Sequence, residues 1–98
     1  MYRERIILNT TYSSGGETAE PLKKVNEISV RQGLPKARIL QNISGRQLTY
    51  VYERDFDSFD QFLEAHNNLV NSEEFRQWFP DFQATMDYGS QEYFIIIE

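Results

Sequence analysis

Ninety-eight residues, 40% of them apolar, suffice for one domain with a single core and leave no room for a second. Ten Lys and Arg against 15 Asp and Glu give a net charge of -5, and acids flank both basic runs, Arg3/Arg5 and Lys23-Lys24, which argues against nucleic acid as a partner. With no Cys and a single His, His66, neither a disulfide framework nor a thiolate or histidine-rich metal site is expected.

Strand one is predicted over Tyr2 to Tyr12, where β-branched and aromatic residues concentrate, and Ser13-Ser14-Gly15-Gly16 closes it as a turn. Charge at Arg3, Glu4 and Arg5, with no long apolar run anywhere, leads us to expect a cytoplasmic chain without signal peptide or membrane span. The sequons at Asn9 and Asn42 fall in predicted strands and carry no glycan meaning in such a chain. Helix one opens at the N-cap candidate Thr18, with Glu20 and Pro21 suited to its first turn, and stops at Gly33-Leu34-Pro35. Its buried stripe is Leu22, Val25, Ile28 and Ser29.

Strands two (Ala37 to Ile43) and three (Gln47 to Arg54) read as antiparallel neighbours joined across Ser44-Gly45-Arg46. Helix two follows Asp55-Phe56-Asp57-Ser58, with Asp57 or Ser58 as cap and Ser58 with Gln61 as a capping box. Phe59, Phe62, Leu63, His66 and Val70 form its apolar stripe. Ser72 caps a further piece, Glu73 to Phe79, which Pro80 is expected to interrupt. Gly89-Ser90 then releases the chain into a final strand, Glu92 to Glu98, apolar on both faces: Tyr93, Ile95 and Ile97 against Phe94 and Ile96. The order is β-α-β-β-α-β, an α+β fold with a four-stranded antiparallel sheet and helices on one face. Apolar residues on both faces of the first and last strands imply that the bare sheet face docks on a second copy.

The run Arg54 to Phe59, the segment Ser72 to Trp78, and Gly89 to Phe94 together resemble small NIPSNAP-like and antibiotic-biosynthesis-monooxygenase-like members of the dimeric α/β-barrel superfamily. The resemblance spans nearly the whole chain and implies ferredoxin-like subunits packed sheet to sheet as a homodimer. It implies a pocket between sheet and helices and chemistry such as cofactor-independent oxygenation or cyclisation, and the residues, which offer no metal or phosphate-loop motif, lead us to expect no cofactor. Haem degraders of the superfamily use an Asn, a Trp and a His. Asn9 matches the first, but Asn68 and Phe79 stand where the other two belong, so haem chemistry is not expected.

The catalytic candidates are His66, Asn9 and Tyr50. Histidine exchanges protons in the neutral range, an amide can anchor a developing enolate, and a buried phenol needs a partner. Trp78, Phe62 and Phe79 are candidate walls for a flat hydrophobic small molecule, and Arg38 a candidate partner for a carboxylate, with Arg54 a second. Against these stands a structural reading in which the histidine bonds to backbone, the aromatics fill the core and the arginines are solvated. Asp55, Asp57 and Asp60 read as helix-capping and dipole-favourable residues. A non-catalytic binding or structural dimer is the alternative to an enzyme.

Overall fold

The computed structural model describes residues 1–10, 19–43 and 49–97. Its elements are β1 (Tyr2–Thr10), α1 (Ala19–Arg31), β2 (Arg38–Gln41), β3 (Thr49–Phe56), α2 (Phe59–Val70), α3 (Glu73–Thr85) and β4 (Met86–Ile95). The strands form one antiparallel sheet in the order β2-β3-β1-β4, the expected ferredoxin-like topology, with the helices packed on one face. The turn at Ser13 to Gly16, the Thr18 cap, the link at Ser44 to Arg46 and the predicted strand ends at 11–12 and 47–48 lie outside the described residues.

Helix ends follow local chemistry. After α1, Gly33 adopts a φ of 95°, its N–H donates to the Val30 carbonyl, and the Leu34 N–H reaches back to Ser29 at 3.0 Å. That pair of bonds is a Schellman closure, and it folds the buried Leu34 onto the core. Ser58 caps α2 by accepting from the Gln61 N–H at 3.3 Å, and Ser72 caps α3 by accepting from Phe75 at 3.2 Å.

Four sequence expectations need correction. Pro80 does not break the helix, because α3 runs through it. Pro80 and Arg76 are both exposed, so water can satisfy the Arg76 carbonyl that loses its donor, while Trp78 and Phe82 anchor the helix on either side of the proline. Strand three ends at Phe56 rather than Arg54, which puts Asp55 in the sheet and not at a helix cap. Strand two is shorter than expected, confined to Arg38–Gln41. The last strand begins at Met86 and ends at Ile95, so Gly89 and Ser90 lie within it. A Cβ on Gly89 would stand 3.4 Å from the Ile7 carbonyl oxygen, the Leu8 side chain and the Met86 sulfur, so a residue without one suits a strand pressed this closely on β1.

The β1–β3 register sets three opposite-charge pairs side by side: Arg3 opposite Asp55, Glu4 opposite Arg54, and Arg5 opposite Glu53. A slip of one residue in either direction would set Arg3 against Arg54 or Arg5 against Arg54, like against like. Charge therefore reinforces what the hydrophobic pattern specifies. Strand alternation sends Tyr2, Glu4, Ile6 and Leu8 of β1, Tyr50, Tyr52, Arg54 and Phe56 of β3, and Gln91 and Tyr93 of β4 toward the helices. Arg3, Arg5, Ile7 and Asn9, with Thr49, Val51, Glu53 and Asp55, take the opposite face, as does Phe94.

Candidate functional site

A cavity of about 280 Å³ lies between the sheet and the helices. Leu22 and Val25 of α1, His66 and Leu69 of α2, and Phe75, Trp78, Phe79 and Phe82 of α3 form its walls, while Glu4, Ile6, Leu8, Tyr52, Arg54 and Gln91 form the floor. The largest wall is fixed rather than loose. Trp78 stacks on Phe82 with ring centroids 4.6 Å apart, and its indole N–H donates to the Pro21 carbonyl at 2.9 Å. That bond ties α3 to the first turn of α1 and satisfies the one polar atom of the indole.

The floor is less apolar than the sequence implies. Glu4 and Arg54 pair across the strands with Nε 3.1 Å from Oε1, and both side chains are only 3% exposed. The guanidinium also donates to the Tyr52 phenol oxygen at 2.7 Å and to the Pro35 carbonyl at 3.2 Å, and lies 5.0 Å over the Tyr52 ring. Gln91 donates to the other Glu4 oxygen at 2.7 Å and to the Tyr93 phenol at 3.0 Å. At the far end Tyr52 hydrogen-bonds Ser29, whose hydroxyl donates to the Val25 carbonyl at 2.7 Å. The result is one polar strip crossing an apolar layer from fully buried Ser29 to half-exposed Tyr93. Burial pushes the Tyr52 and Tyr93 phenols above the ordinary tyrosine range, because a phenolate would lose its hydration. Bringing two charges into such a layer costs several kcal/mol per ion unless each is hydrogen-bonded, and here each has at least one neutral polar partner besides the other.

His66 stands apart from this strip. Its ring lies against Phe62 at 5.9 Å and 22°, it is half-buried, and it forms no hydrogen bond to backbone or side chain among the described residues. A histidine that lines a cavity with both nitrogens uncommitted differs from the backbone-bonded core residue that a structural role would produce.

The other expected site residues divide. Trp78 and Phe79 line the cavity with His66. Phe62 is buried behind the histidine, stacked on Phe56 at 4.2 Å in a cluster with Tyr2, Phe59 and Tyr93. Tyr50 faces the helices and is buried, but it does not line the cavity. Asn9 and Arg38 lie on the opposite face of the sheet: the Asn9 amide oxygen accepts from Thr49 at 2.9 Å, and Arg38 donates to Glu53 at 2.7 Å. The structure does not bring them together with His66.

Glu4 and Gln91 escaped the sequence reading, and Arg54 was weighed there only as a ligand-binding alternative. A charged residue in a strand is read by default as solvated, because strands disfavour charge and buried charge is rare. The available signal was the mirrored pattern of Arg3-Glu4-Arg5 and Glu53-Arg54-Asp55, which makes three complementary pairs in one antiparallel register and sends the central pair to the face opposite the other two. Among the described residues no group of three or more His, Cys, Asp or Glu is placed to hold a metal ion, and no helix is long and apolar enough to cross a membrane.

No protein-family model matches the chain, and no curated protein does. Solved structures do. A NIPSNAP family protein of unknown function from Agrobacterium tumefaciens superposes with a TM-score of 0.85 at 14% identity, covering 96% of this chain and 86% of that one. An uncharacterised NIPSNAP domain protein from Burkholderia xenovorans gives 0.83 at 13%, covering 99% and 95%. An antibiotic biosynthesis monooxygenase gives 0.73 at 10%, with both chains covered completely. The shared feature is the fold. The resemblance read from the sequence to NIPSNAP-like and monooxygenase-like proteins is thus met at the level of architecture, and at such identities the likeness carries no reaction.

Proposed function

We propose that this chain binds a flat hydrophobic small molecule in the cavity between sheet and helices and acts on it, with His66 as the proton-transfer group. The observation that carries the reading is the position of His66: its imidazole opens on an apolar cavity and holds no partner among the described residues. Histidine is the side chain most often used to move a proton at neutral pH, and an uncommitted one beside a cavity is placed to take a proton from a bound phenol or acidic carbon. Oxygenation or cyclisation of an aromatic compound without a resident cofactor begins with such a step. The structural likeness to an antibiotic biosynthesis monooxygenase supports that class. Trp78 and Phe79 are the stacking walls.

The same reading makes the protein a homodimer through the outer face of the sheet. There Ile7, Val51, Leu40 and Phe94 lie among charged pairs, with Leu40 46% and Phe94 37% exposed. Sedimentation at micromolar concentration should give twice the chain mass, and a monomer there removes the dimer. Native mass spectrometry of freshly purified protein should show a retained aromatic molecule. His66→Ala should keep that molecule bound while abolishing its turnover, and unchanged turnover would end the role of His66.

The alternative is a binding or structural dimer without catalysis. One observation favours it: among the described residues the strip from Ser29 to Tyr93 answers its polar atoms from within, the Arg54 Nε alone excepted, much as a structural network does.

A further inference from the structure

We infer that the cavity selects uncharged ligands, a flat apolar body carrying a hydroxyl or amide, and discriminates against carboxylates of the same shape. The inference deepens the proposed function and rests on the cavity being a ligand site. It follows from how the buried charges are spent. Arg54, the guanidinium that lines the cavity, donates through its two terminal nitrogens to the Tyr52 phenol and the Pro35 carbonyl, while its Nε lies 3.1 Å from Glu4 as a charge contact without a hydrogen bond. Its charge is balanced by Glu4 within the same floor, so among the described residues no guanidinium or ammonium of the lining is left unbalanced for an anionic ligand. A carboxylate entering this space would lose its water in an apolar surround and meet the Glu4 carboxylate, and both effects oppose binding.

A neutral donor meets the reverse situation. Among the described residues Arg54, Gln91 and the Tyr93 phenol meet the Glu4 carboxylate, which has roughly four lone-pair sites and so keeps acceptor capacity. A hydrogen bond to a carboxylate is roughly twice as strong as one between neutral groups, and a hydroxyl or amide gives up far less hydration than a carboxylate does on entering an apolar space. At about 280 Å³ the cavity is near the lower end of small-molecule sites, a size suited to two fused rings rather than a large polycycle.

Isothermal titration calorimetry at pH 8, above the ordinary histidine range, with 2-naphthol, 2-naphthamide and 2-naphthoate tests this directly. The three share a ring system and differ in the polar group. Naphthol and naphthamide should bind on the order of tenfold or more tighter than naphthoate. Glu4→Gln, which leaves Arg54 unbalanced, should narrow or invert that ratio. Because Glu4→Gln risks the fold, the naphthamide–naphthoate ratio on the native chain stands alone as the deciding number. Naphthoate binding as tightly as naphthamide, or tighter, overturns the selectivity while leaving the cavity a ligand site. Binding of none of the three overturns the cavity reading and the selectivity with it.

Discussion

The two faces of one sheet carry the same charges and use them in opposite ways. On the outer face Arg3 holds Asp55 through Nε at 2.7 Å, and Glu53 is gripped between Arg5 at 3.0 Å and Arg38 at 2.7 Å. One position along each strand, Glu4 and Arg54 meet in the core as a charge contact at 3.1 Å without a hydrogen bond between them, with phenol, amide and carbonyl groups in place of water. Exposed pairs trade one set of good interactions for another and gain little. The inner pair gave up its hydration when the chain folded, so each of its members depends on the other.

Breaking the inner pair on one side should therefore be the most damaging change available. Arg54→Met leaves Glu4 buried without its cation, and such a loss typically costs about 3–5 kcal/mol. Glu4→Leu combined with Arg54→Met should recover most of that, because two apolar side chains suit the layer better than one stranded charge. Equilibrium urea unfolding of the native protein, the single and the double variant checks both statements. A double variant no more stable than the single one would mean that the surrounding polar strip, rather than the pair, holds the floor together.

This contrast also marks how far the sequence could be read. The element order, the Gly33 closure and the Ser58 and Ser72 caps follow from local rules that act within a few residues. The inner ion pair does not, because it depends on which positions of β1 and β3 face each other across 50 residues of chain. Asn9 and Arg38 went to the other face for the same reason: their residue types suited a pocket, but strand parity decides which side they reach. Parity in turn settles the last strand, where Tyr93 joins the inner aromatic cluster and Phe94 lies under Arg5 on the outer face, 5.0 Å from its guanidinium carbon. The helix through Pro80 shows the opposite limit, a strong local rule overridden by packing on either side.

An intermediate loss should follow from Glu53→Gln. Glu53 sits on the outer face yet is only 4% exposed, because Arg5 and Arg38 fold over it. Burial alone would push its carboxyl upward, but the hydrogen bonds from the two arginines outweigh that and hold it below the usual glutamate range. Glutamine keeps one acceptor oxygen for one arginine, so the cost should be about 1 kcal/mol, read as a shifted urea midpoint with unchanged slope. A loss as large as that of Arg54→Met would erase the distinction between the faces.

Asp55→Asn should have the smallest effect, and pH is the means to see it. The hydrogen bond from Arg3 holds the Asp55 carboxyl below the ordinary aspartate range. A folded value lowered in this way adds stability that is fully present above the unfolded value, about 4, and is lost as pH falls through the folded one. The melting-temperature gap between native protein and Asp55→Asn should thus stay constant from about pH 7 to 5 and close below about 4. At a protein concentration low enough to keep the chains separate, added salt should shrink it throughout, since in the single chain the pair is 29% and 41% exposed. The inner pair offers the contrast again: screening by salt reaches exposed charges far more than buried ones, so 1 M sodium chloride should leave the Arg54→Met deficit nearly intact. If both deficits fell together, the core carboxylate would have to be in contact with solvent, and the separation between the faces would be one of degree.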